Sequence, residues 1–269
     1  MIHPFLRDLR PTLLIAHRGG ASIAPENTMV AFRLAVERYA ADMLELDVRA
    51  TQDGELVVVH DATLERCTDA RGAVTDLTWG DLQTVDAGYG FTTDGGRTAP
   101  FRGKGIRIPL LEDVLREFPH VRFNIELKDD TRGLEMALAD VVRKTQMVEK
   151  VCVGSEHDRV SKWILQALPE ACHFYPLQAL TNLLIGLKSD TGPHKDDPFL
   201  VLDAPLYYGG LRIVDADLVA KARAFGRWVN VWTVDDPSEM QRLVDEGVGG
   251  IMTDRPDVLR QVLAGHADA

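Results

Sequence analysis

Two histidines that follow short apolar runs are the residues of this chain best placed to do chemistry. Residues 13–16 are apolar and lead into His17 and Arg18, and residues 56–59 end at His60. An apolar run that stops at polar groups is typical of a buried strand delivering side chains to one end of a barrel. Imidazole suits proton transfer because its pKa lies near neutrality. Taken alone, each histidine is more often an ordinary polar residue at a strand end.

Acidic residues on two apolar runs suggest a partner for these histidines. Glu45 and Asp47 are two residues apart, as are Glu126 and Lys128, so each pair lies on one face of its strand. Charges on buried strands are costly unless they are paired or coordinated. Three converging carboxylates imply a cation, and oxygen ligands favour Mg²⁺ or Ca²⁺ over zinc. The alternative is that Glu45 and Asp47 form salt bridges with Arg18 and Lys128.

Other polar or aromatic residues at strand ends have simpler explanations. Trp232 is more often a packing residue than a substrate contact, and Lys128 could be a solvated lysine at the rim. Asp254 precedes Arg255 and Pro256, a context that capping of the next helix explains. We therefore assign Asp254 no catalytic role from the sequence.

Strand and helix patterns alternate along most of the chain. Eight predicted strands are each followed by a predicted helix, which favours a closed (β/α)8 TIM barrel over an open doubly wound sheet. No GxGxxG motif follows the first strand, as a dinucleotide-binding fold would require. The strands are predicted at 12–17, 43–49, 121–127, 151–155, 172–177, 199–203, 228–234 and 250–253.

The regular alternation is interrupted once, after the second strand. Asp53 and Gly54 are a hairpin signal, so residues 56–60 are predicted to fold back as a hairpin arm. Residues 61–107 then form a long glycine-rich passage with one short helical signal at 78–85. We expect this segment to be an insertion that caps one end of the barrel within a single domain, 1–269.

Composition excludes several classes of function. With a net charge of −11 in 269 residues, broad electrostatic binding to nucleic acid or to an anionic membrane is not expected. The same charge would repel a phosphate unless a metal or local basic groups reverse its sign at the site. The three cysteines form no CxxC motif, so we predict no disulfide scaffold. The first apolar run is too short for a signal peptide or a stable membrane anchor, and a cytoplasmic location is expected.

Taken together, the motifs resemble those of the glycerophosphodiester phosphodiesterase family over essentially the whole chain. They are His17-Arg18-Gly19, Pro25-Glu26-Asn27-Thr28, Glu45-Leu46-Asp47-Val48, His60-Asp61, Ile108-Pro109, Ile125-Glu126-Leu127-Lys128, Trp232-Thr233-Val234 and Thr253-Asp254. The resemblance implies a (β/α)8 barrel with an inserted segment after the second histidine. It also implies hydrolysis of small glycerophosphodiesters to glycerol 3-phosphate and an alcohol, with one divalent cation, Mg²⁺ or Ca²⁺.

The resemblance also assigns roles, position by position, to eight residues. They are His17 and His60 as acid and base, Glu45, Asp47 and Glu126 as metal ligands, Arg18 and Lys128 as phosphate contacts, and Trp232 beside the substrate. The chain departs from the family at Leu110, where threonine is usual, and at Glu156, where phenylalanine is usual. Because of these two departures, the resemblance does not define the side of the pocket that binds the leaving group.

Other functions fit the same residues. A lysophospholipase D would use this site with an apolar lip, for which the candidates are Leu110, Leu111, Phe91 and Phe101. A lyase would stop at a cyclic phosphate. A barrel that binds phosphodiesters without turnover should have lost an acid, base or ligand position, and none is lost. Which histidine acts first, whether water or the glycerol 2-hydroxyl attacks, and the oligomeric state stay open at this point.

Overall fold

The computed structural model of the chain describes residues 2–10, 12–194 and 196–267. The strands are β1 (Leu13–Ala16), β2 (Met43–Ala50), β3 (Leu56–Val58), β4 (Arg122–Leu127), β5 (Val151–Gly154), β6 (Cys172–His173), β7 (Val201–Pro205), β8 (Tyr207–Tyr208), β9 (Leu211–Arg212), β10 (Trp228–Trp232) and β11 (Gly250–Thr253). The helices are α1 (Met29–Arg33), α2 (Trp79–Leu82), α3 (Leu111–Glu117), α4 (Leu134–Lys144), α5 (Asp158–Ala167), α6 (Leu177–Lys188), α7 (Ala216–Ala224), α8 (Pro237–Asp245) and α9 (Pro256–Ala267).

Eight parallel strands form a nearly closed barrel surrounded by helices. Their order around the barrel is β6-β5-β4-β2-β1-β11-β10-β7. A parallel bridge between Phe174, just after β6, and Val201 of β7 joins the two ends of this sequence of strands. The arrangement confirms the predicted (β/α)8 TIM barrel. In such a barrel the carboxyl ends of all eight strands open onto one face.

The hairpin arm is confirmed as well. β3 pairs antiparallel with the end of β2, with Ala50 opposite Leu56 and Val48 opposite Val58. The arm is shorter than predicted, because β3 ends at Val58 and His60 follows it in irregular backbone. The arm therefore carries His60 back over the mouth of the barrel.

Alternation along β2 divides its side chains between two environments. Leu44, Leu46 and Val48 are fully buried in the core between the strands and the helices. Glu45 and Asp47 point the other way, into the barrel, and are 6% and 2% exposed. Period-two patterning thus places two carboxylates inside the barrel while the same strand supplies the core.

Helix α1 begins at a threonine cap. Thr28 is its N-cap, and the threonine hydroxyl accepts a hydrogen bond from the backbone N–H of Ala31. The preceding residue, Asn27, has a positive φ of 54° and turns its side chain toward the barrel mouth. The cap therefore fixes both the start of the helix and the direction of the loop before it.

The segment 61–107 contains little regular structure. Its longest helix, α2, covers only part of the predicted 78–85, and a capping box between Thr78 and Asp81 starts it. Apolar side chains of the segment form a small core together with Val57 of β3 and Ile108; those from the segment are Leu64, Val74, Leu82, Val85, Ala87 and Ile106. That this segment caps the barrel stays a prediction.

Two predictions from composition can also be compared with the structure. Cys67, Cys152 and Cys172 are free thiols, in agreement with the absence of a disulfide scaffold. None of the helices that the structure describes combines the length and apolar character needed to cross a bilayer.

Gly250, the first residue of β11, occupies a position with no room for a side chain. A Cβ there would lie 2.6 Å from Asn230 Oδ1 and 2.6 Å from Ile15 Cδ1. We expect Gly250→Ala to lower the free energy of unfolding by about 1–3 kcal/mol, as overpacking does in well-packed interiors. Urea unfolding measures this change.

The matched control is Gly80→Ala in the exposed helix α2, where the nearest atom to the new Cβ is Thr78 Oγ1 at 3.6 Å. It should leave stability unchanged or slightly raise it, because alanine favours helix more than glycine does. A Gly250→Ala protein as stable as the wild type would contradict the close packing.

Candidate active site

One cavity of about 320 Å³ opens at the carboxyl ends of the barrel strands. The structure brings all eight residues that the sequence singles out to its walls: His17, Arg18, Glu45, Asp47, His60, Glu126, Lys128 and Trp232. They come from four barrel strands or the residues just after them, and from the hairpin arm. Their roles stay predictions, but their convergence is a property of the fold.

His17 lies immediately after β1 and is held by an aspartate. Its Nδ1 is 2.7 Å from Asp254 Oδ1, and its Nε2 is 3.9 Å from Glu45 Oε2. Burial lowers the pKa of His17, but the Glu45 carboxylate and the hydrogen bond to Asp254 outweigh it and raise the pKa above its ordinary value. One ring nitrogen is thus fixed by Asp254, and the other is directed into the site.

Asp254 is a functional candidate that the sequence reasoning set aside. We expected it to cap helix α9, but its carboxylate contacts His17 and its backbone N–H donates to Asp235 Oδ1. The pairing of β1 with β11, which sets Ala16 opposite Thr253, brings the two residues together. A signal was present, because Asp254 also follows the carboxyl end of a barrel strand.

His60 is held in the same way at the end of the hairpin arm. Its Nδ1 is 2.7 Å from Asp61 Oδ1, while Arg66 Nε donates to Asp61 Oδ2 at 2.5 Å. The hydrogen bond from Arg66 lowers the pKa of Asp61 to about 2. Arg66 also donates to both oxygens of Glu26, which accepts from Arg18 Nη1 at 3.0 Å. A chain of charged contacts therefore links His60 to Arg18.

Arg18 sits in a tight turn between β1 and α1. Its φ is 51°, and the following Gly19 and Gly20 also have positive φ values of 81° and 96°. A Cβ on Gly19 would approach the Ala31 Cβ to 2.8 Å, so only glycine fits beside helix α1. The turn lets the Arg18 backbone N–H donate to Glu45 Oε2 at 2.9 Å.

Asp47 is the most enclosed of the carboxylates. Its Oδ2 is 3.3 Å from Arg18 Nε and accepts from Asn27 Nδ2 at 3.0 Å, and its Oδ1 is 3.1 Å from Lys128 Nζ. Burial raises the pKa of Asp47, but Lys128 and Arg18 outweigh it, so the pKa lies below its usual value. Asp47 is therefore ionised and paired with both cations.

Lys128 connects the second strand to the third strand of the barrel. Asp47 of β2 and Glu126 of β4 are register neighbours, and Lys128 Nζ lies 2.8 Å from Glu126 Oε2 as well as contacting Asp47. Glu126 Oε1 accepts from the backbone N–H of Glu156 at 3.4 Å. The two carboxylates thus share one ammonium group.

The three carboxylates fit a hard cation by their chemistry. All their donors are oxygens, which Mg²⁺ and Ca²⁺ prefer. Burial and the neighbouring Asp47 carboxylate raise the pKa of Glu45 to about 8, because two carboxylates so close together repel each other, and a bound cation would favour the ionised form of Glu45. Over the described ranges 2–10, 12–194 and 196–267, the structure contains no group of three acidic, histidine or cysteine side chains already arranged as metal ligands. The ammonium group of Lys128 contacts two of the three carboxylates, Asp47 and Glu126.

Polar residues that the sequence did not single out line the floor of the cavity. Asp203 of β7 accepts from Asn124 Nδ2 at 2.7 Å and from Asn230 Nδ2 at 2.8 Å. Burial raises the pKa of Asp203 to about 6. The sequence signal was the one that identifies Glu45, a charged residue within an apolar strand.

The rim of the cavity is more apolar and more exposed. Trp232 at the end of β10 is 44% exposed and also lines a neighbouring groove with Tyr207. Leu177, 65% exposed, and Glu156 also line the cavity. Such a site can hold an anion between Arg18 and Lys128 while two imidazole Nε2 atoms exchange protons with it.

Comparison with known proteins shows to which family this chain belongs. The profile of the glycerophosphoryl diester phosphodiesterase family matches residues 17–258. A glycerophosphodiester phosphodiesterase of Caldanaerobacter subterraneus subsp. tengcongensis is 34% identical over 260 residues, covering 92% of this chain and 96% of that protein.

Solved structures show the same fold. A glycerophosphodiester phosphodiesterase from Agrobacterium tumefaciens aligns with a TM-score of 0.74 at 26% identity, covering 93% of this chain and 99% of that one. A phosphodiesterase from Oleispira antarctica, solved with the product sn-glycerol-3-phosphate, aligns with a TM-score of 0.71 at 21% identity, covering 95% and 97%. The chain belongs to the glycerophosphoryl diester phosphodiesterase family and is a phosphoric diester hydrolase.

Proposed function

We propose that this enzyme hydrolyses glycerophosphodiesters to glycerol 3-phosphate and an alcohol, with His17 and His60 as the acid and base. The observation that carries the proposal is that both histidines, each with Nδ1 on an aspartate, face the cavity that Arg18 and Lys128 line. The Oleispira relative was solved with sn-glycerol-3-phosphate as its product, which supports the same product here.

The reaction needs positive charge and two proton-transfer groups. A phosphodiester is an anion that repels nucleophiles, so charge must be offset at its nonbridging oxygens. Arg18 and Lys128 provide two cations in the cavity. The attacking oxygen is water, or the glycerol 2-hydroxyl if a cyclic phosphate forms first and water then opens it. One histidine Nε2 takes its proton as the new P–O bond forms. The other gives a proton to the alkoxide oxygen as the bond between phosphorus and the alcohol breaks.

The aspartates on the two histidines act as positioning residues. A carboxylate on Nδ1 fixes the tautomer with a proton at that nitrogen, so Nε2 is left to exchange protons with the substrate. Asp254 does this for His17, and Asp61 does it for His60. Both imidazoles thus have an aspartate at Nδ1, and either can start as the base.

Members of this family generally use a divalent cation. In this chain we propose that Glu45, Asp47 and Glu126 hold one Mg²⁺ or Ca²⁺. When bound, it would supply positive charge at the phosphate oxygens. Lys128 Nζ, which contacts Asp47 and Glu126, would then share with the cation the task of neutralising these carboxylates.

Segment 61–107 is proposed as an inserted cap within the single domain 1–269. It supplies Arg66, which contacts Asp61 and Glu26, the acidic partners of His60 and Arg18. We propose a small-molecule substrate and a cytoplasmic location, in keeping with the composition.

The structure gives less support to a lysophospholipase D with the expected apolar lip. Leu111 is wholly buried in the main core and cannot line a lip, so that expectation was wrong. Phe91 and Phe101 pack edge to face with ring centres 5.2 Å apart, and Phe101 packs against the core of the inserted segment. Trp232 and Leu177 are the exposed apolar side chains at the cavity.

The proposed reaction is tested by following glycerophosphocholine and its phosphorus products by ³¹P NMR. We expect release of glycerol 3-phosphate, loss of activity in EDTA, and recovery on adding Mg²⁺ or Ca²⁺. Activity that survives EDTA would contradict the ligand assignment. A cyclic phosphate as the end product would indicate a lyase, and faster turnover of lysophosphatidylcholine would indicate a lysophospholipase D.

Replacing either histidine should remove a proton-transfer group. We expect His17→Ala and His60→Ala each to lower kcat about 10²- to 10⁴-fold. His120→Ala is the control, because His120 is exposed and lies outside the cavity. Near-normal kcat in either cavity variant would rule out the two-histidine assignment.

The Arg66 contacts generate a separate expectation. Arg66→Ala should lower kcat roughly 10- to 100-fold, because Asp61 and Glu26 lose the group that holds them and His60 loses alignment. Arg66→Lys should recover only part of the rate, since an ammonium lacks the planar fork that contacts both acids. Arg102→Ala, an exposed arginine of the same segment that stacks on Tyr89, is the control. Equal effects of Arg66→Ala and Arg102→Ala would refute the role.

A further inference from the structure

The proposed mechanism gives no task to Asp203, an acid in the interior of the cavity. Asp203 lies on β7 and lines the cavity floor together with Asn124. Its neighbours on the strand, Leu202 and Ala204, are fully buried, whereas Asp203 retains partial exposure because it faces the cavity. A charged residue at this depth is costly to keep unless it has partners or a ligand.

The hydrogen bonds around Asp203 define it as an acceptor. Trp228 Nε1 donates to Asn230 Oδ1 at 3.0 Å, which turns the amide NH₂ of Asn230 toward Asp203. Asn124 donates to the other carboxylate oxygen from β4, across the barrel. Each oxygen therefore accepts one amide N–H, and a carboxylate offers about four acceptor positions in all. The group retains capacity to accept further hydrogen bonds from the cavity side.

This chemistry excludes some parts of the substrate as partners. The phosphate is anionic, so Asp203 repels it, and the cations Arg18 and Lys128 hold it elsewhere in the cavity. A hydroxyl can donate to Asp203 without a charge penalty. The glycerol half of the substrate carries two hydroxyls and is common to all glycerophosphodiesters. Of the two, the terminal hydroxyl lies farther from the phosphate and suits an anionic acceptor better.

We propose, on the basis of the proposed function, that Asp203 determines specificity by accepting a hydrogen bond from the terminal hydroxyl of the substrate's glycerol half. Asn124 and Asn230 hold the carboxylate in place. The glycerol half then points to the polar floor, and the variable alcohol points to the exposed rim at Trp232. An open rim accommodates alcohols of different size, whereas the floor selects glycerol.

The test compares two substrates in wild type and in Asp203→Asn. The substrates are glycerophosphocholine and its analogue that lacks only the terminal hydroxyl of glycerol. A site built around a hydroxyl rejects an analogue without it, and a hydrogen bond to a charged group is worth roughly a 10- to 100-fold difference. We expect the wild type to favour glycerophosphocholine by that factor in kcat/KM. Asp203→Asn should have a lower kcat/KM for glycerophosphocholine than the wild type, and its kcat/KM values for the two substrates should be similar.

Two results would overturn the assignment. If Asp203 only supports the fold, Asp203→Asn lowers kcat/KM for both substrates by the same factor and the preference remains. If Asp203 recognises a cationic alcohol, the variant loses activity on glycerophosphocholine but keeps it on the glycerophosphodiester of ethanol. Retained preference or a choline-specific loss therefore rejects the role in binding glycerol.

Controls separate this proposal from the others. Asp215→Asn, at the N-cap of α7 and outside the cavity, should leave both rates unchanged. Wild-type release of glycerol 3-phosphate tests the proposed function itself, so its absence is distinct from a failed preference. If Asp203→Asn does not fold, a crystal structure of the wild type with glycerol 3-phosphate decides the matter. A terminal hydroxyl beyond about 3.2 Å from the Asp203 oxygens would reject the proposal.

Discussion

The ion pairs of Asp47 with Arg18 and Lys128 are the interaction on which the site depends. Asp47 is 2% exposed, and the two cations lie 3.3 Å and 3.1 Å from its two oxygens. Removing one partner of such a group would leave an uncompensated buried charge, at a cost on the order of 3–5 kcal/mol. The Asp47 carboxylate therefore fixes the positions of the Arg18 and Lys128 side chains. The groups proposed to contact phosphate are held in place by the acid that they neutralise.

Closure of the barrel completes the site of His17. β1 pairs with β11, so the first and last strands of the chain bring Asp254 to His17. The second histidine depends on a local contact instead, because Asp61 follows His60 directly and is anchored by Arg66. Arg66 and Glu26 then connect the inserted segment to the turn after β1. Each histidine thus has an aspartate at Nδ1; barrel closure brings one there, and adjacency in the sequence supplies the other.

Sequence patterns predicted the architecture and the walls of the cavity because both follow from periodicity. Alternation along β2 requires Glu45 and Asp47 to share a face, and the short link after Asp53 requires a hairpin arm. Periodicity does not distinguish Asp203 from the core residues beside it, because Asp203 is a single acid at the end of an apolar run and has no charged partner nearby in the sequence. Leu111 was placed at a lip, whereas helix α3 turns it into the main core.

The sequence by itself determined the number of barrel strands and their order along the chain, the groups at their ends and the oxygen character of the proposed cation site. These follow from local spacing, since the direction of a side chain along a strand depends only on its position in the strand. Tertiary structure alone decided which of these groups meet. Asp254 reaches His17, Lys128 bridges Asp47 and Glu126, and Asn124 crosses the barrel to Asp203. Such contacts depend on closure of the barrel and on the register between strands that are far apart in the sequence. Local sequence patterns do not encode either.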